Sequence, residues 1–432
     1  MMIVLFLTLL GVTAFPAHAA LTDARPPPPF HSVLFGEQVS MSADGRSILV
    51  GAPDTTVMLK NGTSFYSAGE AFLYNSQGRL LHTFSDTSPV IFEQYAFSVS
   101  ISADGGLVLV GAPYAGTSGM AFLYNTGGHL VQAYRPPSAA GTSSGFGWSV
   151  AFLTQNDSTV NNTISGTVGN ETESQPMVLI GAIFAPGTNP EGGTVGAAGQ
   201  VYTYDTQGNL LRVYGDTDPT VGENFGLSLS SAAGSVAVGA PNAVTDTSSG
   251  AVVDSAGKAL LFDPAGSLVQ TYRDPDPNFF EQFGWSISLS TKNVGPNFDV
   301  FIGAPGASSV GHAGYTVYGG AVFLFSSDGS LFGKIPNRST DCFEFGNSIS
   351  ISADGTSMVT GAPLCVSGTG ILFLFSVRSN VILNIQDPRP VLGEKFGFSV
   401  SMSADGSLVL IGALFRGNAF LFDSSGNLLT TL

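Results

Sequence analysis

The last stretch of the chain shows the pattern most plainly. Phe396-Gly397-Phe398-Ser399-Val400-Ser401-Met402 alternates large and small side chains, as a strand does, and Ser403-Ala404-Asp405-Gly406 reads as a turn. Leu408-Val409-Leu410-Ile411 is continuously apolar, which predicts a strand covered on both faces. Gly412-Ala413 ends it, and Asn418 to Phe422 and Asn427 to Leu432 form two further strands around the turn Asp423-Ser424-Ser425-Gly426. The same order, strands A to D, starts again at Phe35, Tyr95, Phe146, Phe225, Phe283 and Phe345. Each copy is therefore a four-stranded antiparallel meander. One such sheet cannot bury both of its apolar faces, but sheets stacked around an axis can. The expected fold is all-β, a seven-bladed β-propeller with four antiparallel strands per blade. A β-helix, the other fold weighed, would favour shorter and more uniform coils.

Hairpin arithmetic places the two cysteines. With Ser352-Ala353-Asp354-Gly355 as a four-residue loop, Gly346 falls opposite Gly361 and Cys342 opposite Cys365. Facing each other across the open end of the hairpin, Cys342 and Cys365 are expected to form a disulfide if the protein is exported, and two cysteines are too few for a structural zinc site.

Two short motifs recur. Phe146-Gly147-Trp148-Ser149-Val150 and Phe283-Gly284-Trp285-Ser286-Ile287 begin copies three and five. Val50-Gly51-Ala52-Pro53, Val110-Gly111-Ala112-Pro113, Val238-Gly239-Ala240-Pro241, Ile302-Gly303-Ala304-Pro305 and Thr360-Gly361-Ala362-Pro363 close strand B. These are the two halves of the FG-GAP repeat, and the chain resembles the seven-bladed propeller of integrin α subunits over residues 35–432. Copy two departs with Tyr95-Ala96, and copies three and seven lack the proline. The resemblance implies an extracellular adhesion or recognition role. It identifies no ligand, because function resides in a site and not in a fold. Integrin-type A–B loops often carry Asp-x-Asp-x-Asp-Gly calcium cages. Here the loops read Ser42-Ala43-Asp44-Gly45 and Ser102-Ala103-Asp104-Gly105, and one carboxylate is too few for calcium.

Charge and composition narrow the function. The 432 residues include 31 acidic and 15 basic ones, a net charge of −16, which disfavours nucleic acid and anionic membranes as partners. Ile3 to Val12 and Ala17-His18-Ala19 read as a signal peptide over residues 1–19, though no Lys or Arg precedes the apolar run. A Pro-rich linker follows over residues 20–34, and one propeller over 35–432. The expected location is secreted, without membrane insertion.

Catalytic signals are thin. The five histidines are scattered, and no HExxH, GxSxG or Walker A sequence occurs. Gly193 to Gly199 lacks dinucleotide spacing and reads as a flexible loop. The chain is read as non-enzymatic and without a cofactor. The D–A connections carry repeated carboxylates: Asp86 and Glu93, Asp216 with Asp218 and Glu223, Asp274 with Asp276 and Glu281, Asp387 and Glu394. They are expected to accept loop N–H bonds, with weak Ca2+ binding as the sharper reading. The long loops are mostly B–C, Asp54 to Ala68, Phe184 to Ala198, Asn242 to Ala256 and Gly306 to Gly319, with A–B insertions at Thr154 to Pro176 and Thr291 to Asn297. A ligand face built from B–C and D–A loops would include Phe65, Tyr66, Tyr114, Phe184, Tyr315, Tyr318, Phe415 and Arg416. Sequons at Asn61, Asn156, Asn161, Asn170 and Asn337 are candidate glycan acceptors. The function expected is a module binding an extracellular protein or glycan. The alternatives are a secreted hydrolase or lyase acting at the central depression, and a scaffold without a small ligand.

Overall fold

The computed structural model describes residues 34–59, 61–137, 143–153, 176–246, 250–290, 300–310, 316–337, 339, 341–376 and 381–432. Seven four-stranded antiparallel sheets follow one another, each meandering A-B-C-D. Blade 1 is Val39–Met41, Ser47–Ala52, Glu70–Asn75 and Leu80–Phe84. Blade 7 is Phe396–Met402, Leu408–Ala413, Asn418–Asp423 and Leu428–Thr431. Strand B is the buried centre of every blade: Val409, Leu410 and Ile411 are all at 0% exposure. Its continuous apolar run is what a strand covered on both faces requires.

Seven apolar clusters hold the ring, and each spans two neighbouring blades. The motif Phe is their anchor. Phe146, Phe225, Phe283 and Phe396 are fully buried, each burial contributing about 2–3 kcal/mol. The cluster of Phe35, Met41, Leu410 and Leu421 joins blade 7 to blade 1, so among the described residues the two blades meet by side-chain packing and seam hydrogen bonds, each sheet keeping its own four strands.

The motifs mark the seams between blades. In six blades the Ser of Phe-Gly-x-Ser donates its hydroxyl to the carbonyl of the next blade's motif Gly, as Ser98 to Gly147 (2.8 Å) and Ser399 to Gly36 (2.8 Å). That carbonyl is accessible because the motif Gly sits in the left-handed region; Gly36 has φ +87°. The Gly that closes strand B, in Gly-Ala-Pro or in the Gly-Ala-Leu of blade 7, faces the same carbonyl: a Cβ on Gly412 would lie 2.0 Å from Gly36 O. Further along strand A a second Ser accepts from the next blade in blades 1, 4, 6 and 7, as Ser401 Oγ from Met41 N at 3.1 Å and Ser40 Oγ from Ile101 N at 3.1 Å.

The hairpin turns begin one residue later than the sequence arithmetic assumed. Ser352 N bonds Ser357 O, so Ala353 to Thr356 form the loop, and Ser348, not Gly346, pairs with Gly361. The cysteines nevertheless join in a disulfide. In blades 3 and 7 strand A shifts register by two residues at the Phe-Gly step, and the left-handed Gly346 (φ +91°) marks the same step in blade 6. The two displacements cancel at the open end of the hairpin. The Ser-Ala-Asp-Gly turn also consumes its own carboxylate. Asp44 accepts from Ser42 Oγ at 2.7 Å and Arg46 N at 3.0 Å, and these bonds hold its carboxyl below the usual range. The turn alanines add bonds between blades, Ala43 N to Ala103 O and Ala404 N to Ala43 O.

Each of the four long B–C loops folds into a two-stranded flap, the first pairing Val57–Met58 with Ser64–Phe65. Gly193 to Gly199 is part of one flap: Thr194–Val195 pair with Gly187–Thr188, which corrects its reading as a flexible loop.

Candidate functional site

B–C and D–A loops share one face of the disc and are bonded to each other by backbone. Phe92 N donates to Tyr66 O, Phe280 N to Asp254 O, Val366 N to Asp341 O, and Phe415 N to Glu394 O. The D–A loop itself is built on a carboxylate pair spaced seven residues apart. The Asp caps the backbone two residues on, as Asp86 accepts from Ser88 N at 2.9 Å and Asp387 from Arg389 N at 2.8 Å. The Glu reaches back three residues, as Glu223 accepts from Thr220 N at 2.8 Å and Glu281 from Asn278 N at 2.9 Å. All four Glu side chains, Glu93, Glu223, Glu281 and Glu394, are at most 1% exposed.

Two buried carboxylates side by side require neutralisation. At three junctions the following blade supplies a cation. Lys258 Nζ bridges Asp216 and Glu223, lying 3.1 Å from the latter. Lys334 Nζ lies 2.8 Å from Asp274, beside Glu281. Arg416 bridges Asp387 and Glu394, with 3.1 Å to the latter. Burial still pushes the carboxyls of Glu223, Glu281 and Glu394 upward, and the neighbouring Asp adds to the shift. The cations come from the start of strand C, from strand D and from a B–C loop. Sequence reasoning missed Lys258 and Lys334. The available signal was a Lys inside the apolar run Lys258-Ala259-Leu260-Leu261-Phe262 of a chain with 15 basic residues.

The predicted ligand face divides accordingly. Tyr66, Tyr114, Phe184, Tyr318 and Phe415 are exposed on it; Phe65 is half-buried in a flap. Arg416 is committed to its two carboxylates and lies over Phe420, so it offers no free cation. Tyr315 lies outside the described residues, as do Asn156, Asn161 and Asn170. Asn61 is exposed. Asn337 is buried and its amide donates to Cys342 O at 2.9 Å, a placement that closes it to a glycan in the folded protein.

What the sequence did not single out is the apolar crest of the D–A loops. Val221 (78% exposed), Leu392 (75%), Phe280 (68%) and Phe92 (65%) stand in solvent beside the buried Glu of their loops. Between blades 6 and 7 the face opens into a cleft of about 650 Å³ bounded by Phe343, Leu364, Val366 and Lys395. Lys395 lies over the Phe415 ring at 5.2 Å and the Phe398 ring at 5.8 Å, so this cleft joins an ammonium to exposed aromatic surface.

No known protein-family profile matches the chain, and no curated protein matches it in sequence. In structure it is similar to a chain of Kuenenia stuttgartiensis hydrazine synthase, with a TM-score of 0.54 and 10% identity over 94% of this chain and 100% of that one. At that identity the likeness shows the propeller fold alone. Likeness reaching 757 solved chains marks the fold as widely shared and leaves the choice of function to the loops.

Proposed function

We propose that the chain is a non-enzymatic extracellular recognition module of the FG-GAP type, which binds a protein partner through its B–C and D–A loops. One observation carries the reading. Among the described residues the most exposed large apolar side chains, Val221, Leu392, Phe280 and Phe92, all belong to D–A loops. On the outer edge strands the exposure is lower, 50% at Leu81 and 51% at Val269. Concentrated exposed apolar surface on a rigid scaffold is the signature of an interaction face. The aliphatic share of the crest favours a protein partner. Tyr66, Tyr114 and Tyr318 favour a glycan as the second reading, since sugar rings stack on aromatic faces. The Cys342–Cys365 disulfide supports an oxidising compartment. The FG-GAP assignment is supported by the work both motif halves do at the seams.

The test is a binding screen of the purified chain against arrays of extracellular proteins and glycans. A chain carrying Phe92→Ser, Phe280→Ser and Leu392→Ser should bind the partner found at least about tenfold more weakly, as for buried apolar anchors. A chain with Leu81→Ser and Val269→Ser should bind like the parent. The reverse result would move the interaction to the outer rim and refute the assignment. A hit confined to glycans would select the second reading.

A further inference from the structure

We propose that the junction between blades 1 and 2 binds one exchangeable inorganic cation through Asp86, Glu93 and the Tyr95 hydroxyl, where the other three carboxylate-pair junctions use a Lys or Arg. The four junctions share the seven-residue spacing and the same backbone bonds, and three have acquired a cation from three unrelated positions. Independent solutions to one charge problem show that the pair demands positive charge.

Blade 2 has none of the three solutions. Met120 holds the position of Lys258, each being the residue paired with the Ala that ends strand B. Ala133 lies opposite Phe122 as Lys334 lies opposite Phe323. Ser118 precedes Met120 by two residues, as Arg416 precedes Asn418. Among the described residues, no basic side chain contacts Asp86 or Glu93.

A second observation points into the same place. Glu93 Oε1 is buried and makes no hydrogen bond, and the same holds for that oxygen of Glu223, Glu281 and Glu394, so the Glu is common to all four junctions and the Tyr95 hydroxyl is what sets this one apart. The Tyr95 hydroxyl is also fully buried and makes no hydrogen bond of ordinary geometry, and its neighbours are the Tyr124 hydroxyl and the carboxylates of Asp86 and Glu93. Every other copy has Phe at this position, so the hydroxyl is an addition peculiar to this junction. The Phe122 ring walls the site on the side where Lys334 sits over Phe323 at 4.7 Å in blade 5. This junction also lacks the Ser–Gly seam bond. Gln38 stands where the Ser would be, and the left-handed Ala96 where the Gly would be. A cation here would join two blades at the point where their other connections are weakest. An all-oxygen donor set selects a hard cation, and Ca2+ is the probe.

The experiment is calcium titration of the full chain after EDTA dialysis, read by calorimetry and by thermal melting. One Ca2+ per chain is expected, with a melting shift of about 3 °C at a hundredfold excess over the dissociation constant. Glu93→Gln removes a ligand and should abolish the shift. Met120→Lys supplies an internal ammonium, as Lys258 does, and should abolish the shift while leaving the chain folded with a melting point no lower than that of the calcium-free parent. Glu281→Gln, at a junction with its own Lys, should keep the shift. The proposal is overturned by no response up to about 10 mM Ca2+, well beyond weak extracellular calcium modules. A response that survives Met120→Lys overturns it equally, whether or not the Glu93 variant folds.

Discussion

Gly412→Ala tests the account of ring closure. The new Cβ would lie 2.0 Å from Gly36 O and 2.4 Å from Ser399 Oγ, where ordinary contact starts at 3.4 Å. Both obstacles belong to the seam itself, one to the backbone of blade 1 and one to strand A of blade 7. Blade 1 must therefore retreat by more than about 1 Å, a displacement at which van der Waals attraction across a gap is largely forfeited. The 2.8 Å bond from Ser399 to Gly36 breaks, and the neighbouring bond from Met41 N to Ser401 Oγ lengthens. A buried group left unpaired costs about 1–3 kcal/mol, and imperfect packing of Phe35, Met41, Leu410 and Leu421 about as much again. The sum is roughly 4 kcal/mol. An unfolding entropy of about 2.1 cal/mol/K per residue gives about 0.8 kcal/mol/K for this propeller, hence a melting shift of roughly 5 °C. Differential scanning calorimetry reads it directly. Gly215→Ala is the control, since its Cβ meets nothing within 4 Å and its φ is not left-handed; it should change stability by less than about 0.5 kcal/mol. A Gly412→Ala melt within 1 °C of the control would refute the idea that closeness at this glycine closes the ring.

Three other outcomes follow from the same geometry. Lys258→Met leaves Asp216 and Glu223 buried without their cation and should destabilise by about 3–5 kcal/mol in urea titration, and a loss under 1 kcal/mol would contradict the bridging role. Replacing Cys342 and Cys365 together by Ser frees a loop with a sequence separation of 23 and should cost about 3 kcal/mol, seen equally when the parent is melted in reductant. Burial raises the Glu37 carboxyl to about 7, with Asp54 contributing, and burial raises Glu70 to about 7, from an ordinary 4.5. Between these values the folded chain holds protons that the unfolded chain has released. Their contribution to stability is therefore full below about pH 4.5 and is lost as pH rises through 7. The urea midpoint should be higher at pH 5 than at pH 8 in the parent, and the difference should shrink in Glu37→Gln with Glu70→Gln.

The blades were legible in the sequence because each strand repeats its own demand seven times. The apolar run of strand B states double burial, and Phe-Gly with Gly-Ala-Pro states close approach. Which atoms approach was not legible: the glycines of the two motifs meet across blades, and within a hairpin Gly361 pairs with Ser348. The turn was misplaced by one residue because Ser352 both closes the loop and belongs to its motif. The carboxylates of the D–A loops were found, and their backbone bonds follow from local spacing. Their cations were not, since Lys258, Lys334 and Arg416 occupy three different positions in the repeat and no period reveals them. Exposed Phe92 and Phe280 were overlooked beside the acidic residues of their loops, while Arg416 looked free because its partners lie 22 and 29 residues upstream.

The six joints from a motif Ser to a motif Gly all run the same way, each sheet giving to the one that follows. Nothing in that handshake tells one copy from another, so it would serve a ring of six or eight as well as seven. Copy number must then be set by the wedge of side chains between sheets. Unequal crossing-over within the gene could add or delete a unit without damaging any joint, and only the boundary built on Gln38 and Ala96 would resist being shuffled.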